Sequence, residues 1–266
     1  MLKDKKVVLL AFASNDLKRS INRLSNQAKE SNFYNEIKIF NSNDLPSDLA
    51  SKLSYLLSIN KKRGYGYWIW KPYLIKKVFE EIEYGDVINY LDIGCYHPVG
   101  ISNTYLLHRR GWQGLVVDID DYKLELFKRR RGKNVEALKG AISSEDSVSK
   151  VPIYKFNQPF SPYDTLSEEI AKMRSKAINI EYTTEEVNQI SINSLLHKKH
   201  FDLINIDVEG LDELIVNSID FTKFQPTMIV YESFDPLSSS KTKELLNDNG
   251  YIPLFISGGS IGYVKK

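Results

Sequence analysis

The sequence predicts an α/β protein: a doubly wound, mostly parallel sheet closing in an antiparallel carboxy-terminal strand pair, with an α/β extension at its amino terminus. Two observations carry this reading. From Asp86 onward, short apolar runs alternate with stretches of helical periodicity, as strands joined by crossover helices do. Acidic residues then recur at the downstream ends of those runs, at Asp92, Asp118, Asp207 and Glu232. In open α/β sheets those ends are where ligands bind.

In chain order, Val7–Ala13 reads as a buried strand and Asp16–Asn32 as a helix with Leu17, Ile21, Leu24 and Ala28 on one face. Ile37–Phe40 fits a second strand, and Leu49–Asn60 a helix. The aromatic run Arg63–Pro72 follows, then a helix through Glu83. Strands are expected at Val87–Ile93, Gly114–Ile119, Val135–Ile142, Phe201–Ile206 and Thr227–Tyr231. Helices are expected at Asn103–Arg110, Asp121–Arg131, Leu211–Ile219 and Ser239–Asn249, the last stopped by Gly250. Tyr251–Ile256 and Ile261–Val264 form a hairpin turned by Gly258 and Gly259. Between Ser143 and Lys199 the alternation breaks. Pro152, Pro159 and Pro162 predict loops there, with a short helix at Thr165–Lys176. Such an insertion would lie over the carboxyl ends of the strands.

A chain of 266 residues with 42% hydrophobic and 26% charged residues has the composition of a globular protein with a core. Thirty-six basic against 34 acidic residues leave a net charge of +2, which predicts neither a nucleic-acid nor a membrane partner. The cluster Lys128, Arg129, Arg130, Arg131 reads as a solvated helix end or a phosphate contact. One cysteine, Cys95, forms no internal disulfide framework or Cys-rich zinc site and fits a reducing compartment. The early apolar run Val7–Ala13 is shorter than a secretory leader and no run reaches the length of a membrane span, so a cytoplasmic location is expected.

Asp92-Ile93-Gly94-Cys95 ends the first strand of the alternating region, and glycine there permits a sharp turn. The G-x-G-x-x-G fingerprint is missing, because Tyr96 and His97 follow, which argues against a dinucleotide. Asp118 ends the second strand, where an acid suits a ribose diol, while Asp120 is a candidate cap for the next helix. Asp207-Val208-Glu209-Gly210 brings two carboxylates to a later strand end, able to take a proton, bind a metal or cap a helix, the last being the reading for Asp212. His97, beside Pro98, is a general base or an anchor for a neighbouring loop; His108, His197 and His200 read as surface or loop residues.

The stretch YLDIGCYHPVGISNTYLLHRRGWQGLVVD, residues 90–118, resembles the opening of FkbM-like S-adenosylmethionine-dependent methyltransferases. FDLINIDVEGLDELIVNSIDFTKFQPTMIVYE, residues 201–232, resembles their second signature, so the resemblance spans residues 86–266 with an insertion at 143–199. It implies a class I methyltransferase (Rossmann-like) fold with S-adenosylmethionine as cofactor. It further implies that Asp92, Gly94 and Tyr96 lie near the methionine part, Asp118 holds the ribose and Ala141 and Ile142 border the adenine. Asn103, Thr104 and Asp207 complete the implied cofactor contacts. Family members methylate hydroxyls of sugars or polyketide-like products, and the words at Tyr96–Pro98 and Ser102–Tyr105 are common in surface-polysaccharide gene sets. The expected acceptor is therefore a small carbohydrate or sugar nucleotide, and a homo-oligomer is compatible with the sequence.

Residues 1–85 stand outside that core as an accessory segment. Arg63–Pro72, Gly85-Asp86 and Tyr90-Leu91-Asp92 are similar to the amino-terminal part of a bacterial glycosyltransferase-like family. Trp68 and Trp70 could stack on sugar rings or pack in the interior. Methyl transfer to a hydroxyl needs alignment and a base, for which Asp207, Glu209 and His97 are the candidates. Alternatively Asp207, Glu209 and Glu232 hold Mg2+ or Mn2+ that acidifies the hydroxyl. The rival function is a metal-dependent glycosyltransferase, with Asp118-Ile119-Asp120 as a D-x-D cation site for a nucleotide-sugar donor. A catalytically inert carbohydrate-binding protein is the other.

Overall fold

The computed structural model describes residues 8–12, 22–23, 25–26, 28–29, 36–40, 88–143, 149–158, 161–208, 210–233, 240–257 and 259–266. Nine strands form one sheet: β1 (Val8–Phe12), β2 (Glu36–Phe40), β3 (Asn89–Ile93), β4 (Gln113–Asp118), β5 (Val135–Lys139), β9 (Leu203–Ile206), β10 (Met228–Glu232), β11 (Tyr251–Ser257) and β12 (Ser260–Lys265). Three more, β6 (Ala141–Ser143), β7 (Lys150–Phe156) and β8 (Tyr182–Ser191), form a second sheet. The spatial order of the large sheet is β2-β1-β11-β12-β10-β9-β3-β4-β5. Only β12 runs against its neighbours, pairing antiparallel with β10 and β11. From β11 to β5 this is the class I methyltransferase order, with its reversed strand next to last.

Alternation along the strands divides the core into two layers. Leu91, Ile93, Val117, Ile204, Ile206, Ile229 and Tyr231 face one side and pack against α4 (Ile192–Lys198), α5 (Asp212–Asn217) and α6 (Lys241–Asp248). Tyr90, Val116, Leu203, Met228 and Val230 face the other and pack against α1 (Tyr105–His108) and α2 (Asp121–Arg131) through Leu107, Leu124 and Phe127. Central strands buried on both faces explain the unbroken apolar runs seen in the sequence.

The order of crossovers sets the functional end. The chain moves outward through β3, β4 and β5, then returns to place β9 on the other side of β3. Loops leaving β3 and β9 at their carboxyl ends therefore diverge, which opens a crevice at the switch point.

The insertion differs from expectation. Val135–Ile142 is two strands, because Gly140 turns the chain out of the large sheet; a Cβ there would lie 2.2 Å from Ile190 Cδ1. Residues 143–199 hold β7, the ten-residue β8 and α3 (Glu168–Ile178), rather than loops around one helix. Pro162 does lie in a loop, but Pro152 was misleading because β7 is an edge strand, where Pro152 opposes Glu186 with no ladder donor required. Strand β8 pairs with β6 and β7, and Ile153, Val187 and Ala141 form its small core with Ile119 and Leu166 at its edge.

At the amino terminus, β1 adds parallel to β11, with Leu10 opposite Phe255, and β2 adds to β1. The described residues between Asn22 and Lys29 are helical. The expected helix at Leu49–Asn60 and the aromatic run Arg63–Pro72 lie outside the described residues.

Ile204 is fully buried between β3 and β10. Ile204→Ala should lower stability by about 2–5 kcal/mol in urea unfolding with an unchanged m-value.

Candidate active site

Strands β3 and β9 part at Gly94. Its N–H donates to Val117 O at 2.9 Å, and Asp207 N–H donates to Ile93 O at 3.0 Å. Gly94 has φ +73°, and a Cβ on it would stand 1.9 Å from the Asp207 carbonyl oxygen. The glycine is thus required by the chain's own backbone from the neighbouring strand, before any ligand enters. Tyr96 follows with φ +52°, an uncommon value outside glycine, and its N–H donates to Asp118 Oδ2 at 3.2 Å. The N–H of Asp120 donates to Asp118 Oδ1 at 3.0 Å.

Asp92, expected to meet the cofactor, is 1% exposed and bound within the protein. Its Oδ2 accepts from Thr104 Oγ1 at 2.5 Å and its Oδ1 from Asn205 Nδ2 at 2.8 Å. Thr104, also expected at the cofactor, has its hydroxyl inside this same network and is fully buried. The network continues to Arg131, the last residue of α2 and 4% exposed. The Arg131 guanidinium donates to Thr104 Oγ1 (2.8 Å), Tyr90 Oη (3.0 Å), Ser102 Oγ (2.5 Å) and the Pro98 carbonyl (2.9 Å). Arg131 is therefore neither solvated nor a phosphate contact; only Lys128, Arg129 and Arg130 of that cluster are exposed. It pins the loop from Pro98 to Thr104 against the sheet.

His97 is part of the same loop. Its Nδ1 accepts from the N–H groups of Val99 (3.1 Å) and Gly100 (2.9 Å), so Nδ1 is unprotonated and the ring proton is on Nε2. Burial, then Arg130 and Arg131, hold its pKa below the ordinary histidine value. The loop-anchor reading fits this geometry, and the general-base reading does not.

Asp207 sits just past β9 and is half-buried; its Oδ2 accepts from Asn103 Nδ2 at 3.3 Å. Asn103 is presented by the loop that Arg131 holds. Asp212, expected as a cap, lies in the first turn of α5, where Leu211 is the N-cap residue. Its carboxylate accepts from the N–H groups of Val208 (3.3 Å), Gly210 (3.2 Å) and Glu232 (3.3 Å), which binds the ends of β9 and β10 together. Glu232 ends β10 half-buried, on the strand face that also carries Asp92 and Asn205. Ala141 and Ile142 are buried in the small and large cores respectively, so only their backbone could border an adenine. Glu209, Trp68 and Trp70 lie outside the described residues.

The carboxylates of the Asp118–Asp120 motif are taken up within the protein. Asp120 does cap α2, accepting from Tyr122 N–H (2.7 Å) and Lys123 N–H (3.3 Å), and its second oxygen lies 3.4 Å from Lys155 Nζ. Asp120 is thus committed, and the D-x-D reading of Asp118–Asp120 is not supported. Among the described residues, no group of three or more His, Cys, Asp or Glu side chains is arranged to hold a metal ion.

Asp118 fits a ribose. It is 6% exposed at a strand end, and each oxygen takes one backbone N–H, leaving lone pairs for two hydroxyls. Burial raises its pKa, against the pull of Lys123 and the two N–H donors. Sequence reasoning missed Asn205, Arg131 and Lys123. Asn205 was detectable as the one polar residue inside the apolar run Leu203–Ile206, whereas Arg131 and Lys123 had no signal that separated them from neighbouring surface cations.

The profile of the Methyltransferase FkbM domain family matches residues 92–253, from Asp92 in β3 to Pro253 in β11. No curated protein matches the sequence. Solved structures similar to the chain include the precorrin-6y C5,15-methyltransferase of Geobacter metallireducens, at 11% identity and TM-score 0.39, covering 78% of this chain and 91% of that one. The S-adenosylhomocysteine-bound methyltransferase PaMTH1 of Podospora anserina matches at 11% identity and TM-score 0.39, over 94% and 96% of the two chains. The Methanococcus jannaschii fibrillarin pre-rRNA processing protein matches at 9% identity and TM-score 0.34, over 68% and 67%. Among the described residues no helix is long and apolar enough to cross a membrane.

Gly94→Ala should cost about 3 kcal/mol or more, from the positive φ and the clash with the Asp207 carbonyl, in thermal or urea unfolding. Because the folded pKa of His97 lies below its unfolded value, the unfolded state binds more protons between them. The His97 contribution to stability is therefore complete above about pH 6.5 and lost as pH falls below it. His97→Asn, which keeps an acceptor but cannot titrate, should show a flatter melting-temperature profile between pH 7.5 and 5.

Proposed function

Because the chain belongs to the FkbM-domain methyltransferase family, we propose that it is an S-adenosylmethionine-dependent O-methyltransferase whose acceptor is a carbohydrate hydroxyl, free, nucleotide-activated or within a glycan precursor. The observation that carries the reading is Asp207, at the β3/β9 switch point: its backbone packs on the Gly94 turn and its carboxylate accepts from Asn103. The resemblance of Tyr96–Pro98 and Ser102–Tyr105 to proteins of surface-polysaccharide gene sets supports the carbohydrate acceptor.

Bound S-adenosylmethionine supplies an electrophilic methyl carbon on a sulfonium. The protein's work is orientation and proton removal. Asp118 would accept from the ribose hydroxyls and so hold the cofactor at the carboxyl end of β4. The Gly94 turn gives the backbone of residues 94–96 access to the methionine part. Asp207 accepts the proton of the attacking hydroxyl, and Asn103, donating to its Oδ2, sets the direction of the other oxygen. The pinned loop Pro98–Thr104 would flank one side of that crevice, and the backbone of Ala141 and Ile142 would border the adenine.

Calorimetric titration with S-adenosylhomocysteine tests the cofactor assignment; micromolar binding is expected, and no binding would overturn it. Asp118→Ala should weaken that binding about ten- to hundredfold, the loss of charge-assisted hydrogen bonds. Methyl transfer to a panel of sugar nucleotides and oligosaccharides, read as S-adenosylhomocysteine release, tests the acceptor. With a responding sugar, Asp207→Asn should lower turnover by about 10²–10⁴ and leave cofactor affinity within tenfold.

A further inference from the structure

Lys123 lies in the first turn of α2, yet it is 5% exposed, and its ammonium is placed between the two halves of the site. On one side Nζ stands 3.9 Å from Asp118 Oδ1. On the other it donates to the carbonyl of Ser161, in the insertion, at 3.1 Å. The Tyr96 ring covers it, with Nζ 5.3 Å from the ring centroid. The segment it grips is well built: Tyr163 N–H donates to Ser161 Oγ, Asp164 accepts from Phe156 N–H, Thr165 pairs with Tyr154, and Arg174 of α3 holds the Tyr163 carbonyl. Lys123 also faces Asp164 electrostatically.

A buried ammonium needs a compensating charge, and Asp118 is the nearest. Ribose hydroxyls donating to Asp118 would hold its carboxylate in one orientation beside Lys123. A carboxylate held in one orientation holds Lys123 more firmly, and Lys123 holds Ser161. We propose that Lys123 is a positioning residue that couples occupancy of the ribose carboxylate to the seating of residues Ser161–Thr165, so that cofactor binding shapes the acceptor side of the crevice. This rests on the assignment of Asp118 to the cofactor ribose. By reciprocity, whatever seats that segment also tightens cofactor binding.

Hydrogen exchange of peptides covering Ser161–Thr165, in the full chain with and without saturating S-adenosylhomocysteine, tests the coupling. In wild type the ligand should slow exchange there about fivefold or more. Lys123→Arg, which keeps the cation, should retain the effect. Lys123→Met should still bind the ligand but lose the protection. If Lys123→Met does not fold, Asp118→Asn at saturating ligand removes the same charge pair from the other side and should lose the protection likewise. Ligand binding to wild type without a change at Ser161–Thr165, or full protection in the Met or Asn variant, would overturn the coupling. Absence of any binding to wild type would overturn the cofactor reading itself, and the coupling with it.

Discussion

A carboxylate buried in the middle of a sheet must be compensated, and at Asp92 that requirement organises the functional end of the molecule. Asp92 stands where β3 meets β9, with almost no access to water. Asn205 answers from the opposing strand and Thr104 from the loop that follows β3. Thr104 can donate to Asp92 because its oxygen in turn accepts from Arg131. The guanidinium then has donors left for Ser102, Tyr90 and the Pro98 carbonyl. One buried charge thus fixes a strand pair, the end of α2 and a loop of seven residues. Removing a single member of such a network leaves another unpaired, which is why these groups behave as a unit.

The consequence for chemistry lies one step further out. Asn103 sits inside the pinned loop, so its amide reaches Asp207 from a fixed point. Asp207 is fixed from below by its own backbone, stacked on Gly94 with no room for a side chain. Asp212 gathers the N–H groups of Val208, Gly210 and Glu232, which keeps the ends of β9 and β10 in register. Asp207, the proposed base, is therefore held by Asn103 of the pinned loop and by its own backbone against Gly94, the kind of fixed placement that orientation-driven catalysis requires.

Much of this fold was legible in the sequence, because central parallel strands read as unbroken apolar runs and the helix Asp121–Arg131 follows a recognisable cap, Asp120. The strand-end acids were legible as positions but not as roles, since Asp92 is bound inside the sheet by Thr104 and Asn205. The insertion was not. Strand β8 is Tyr-Thr-Thr-Glu-Glu-Val-Asn-Gln-Ile-Ser, polar and largely exposed, so it lacks the alternation that marks a half-buried strand. Its partner carries a proline that only an edge position tolerates. The roles of Arg131 and His97 were hidden too, since burial of one arginine among four neighbouring cations, and the tautomer of one ring, are tertiary facts with no local signature.

The amino-terminal strands bear on how the sheet is protected. Without them, β11 would be an open edge with an unpaired row of backbone groups, a template for pairing between chains. Strand β1 covers that edge in parallel register, Leu10 against Phe255 and Ala11 against Ile256, and β2 becomes the new edge. Its sequence, Glu-Ile-Lys-Ile-Phe, places charges at alternate positions, a device that discourages further strand addition. A boundary at residue 85 therefore falls between strands of one hydrogen-bonded sheet. The extension and the methyltransferase core share backbone pairing on that edge, far from β5. The described strands of the extension, β1 and β2, lie beyond β11, at the opposite end of the sheet from β4, where the insertion meets Asp118 through Lys123.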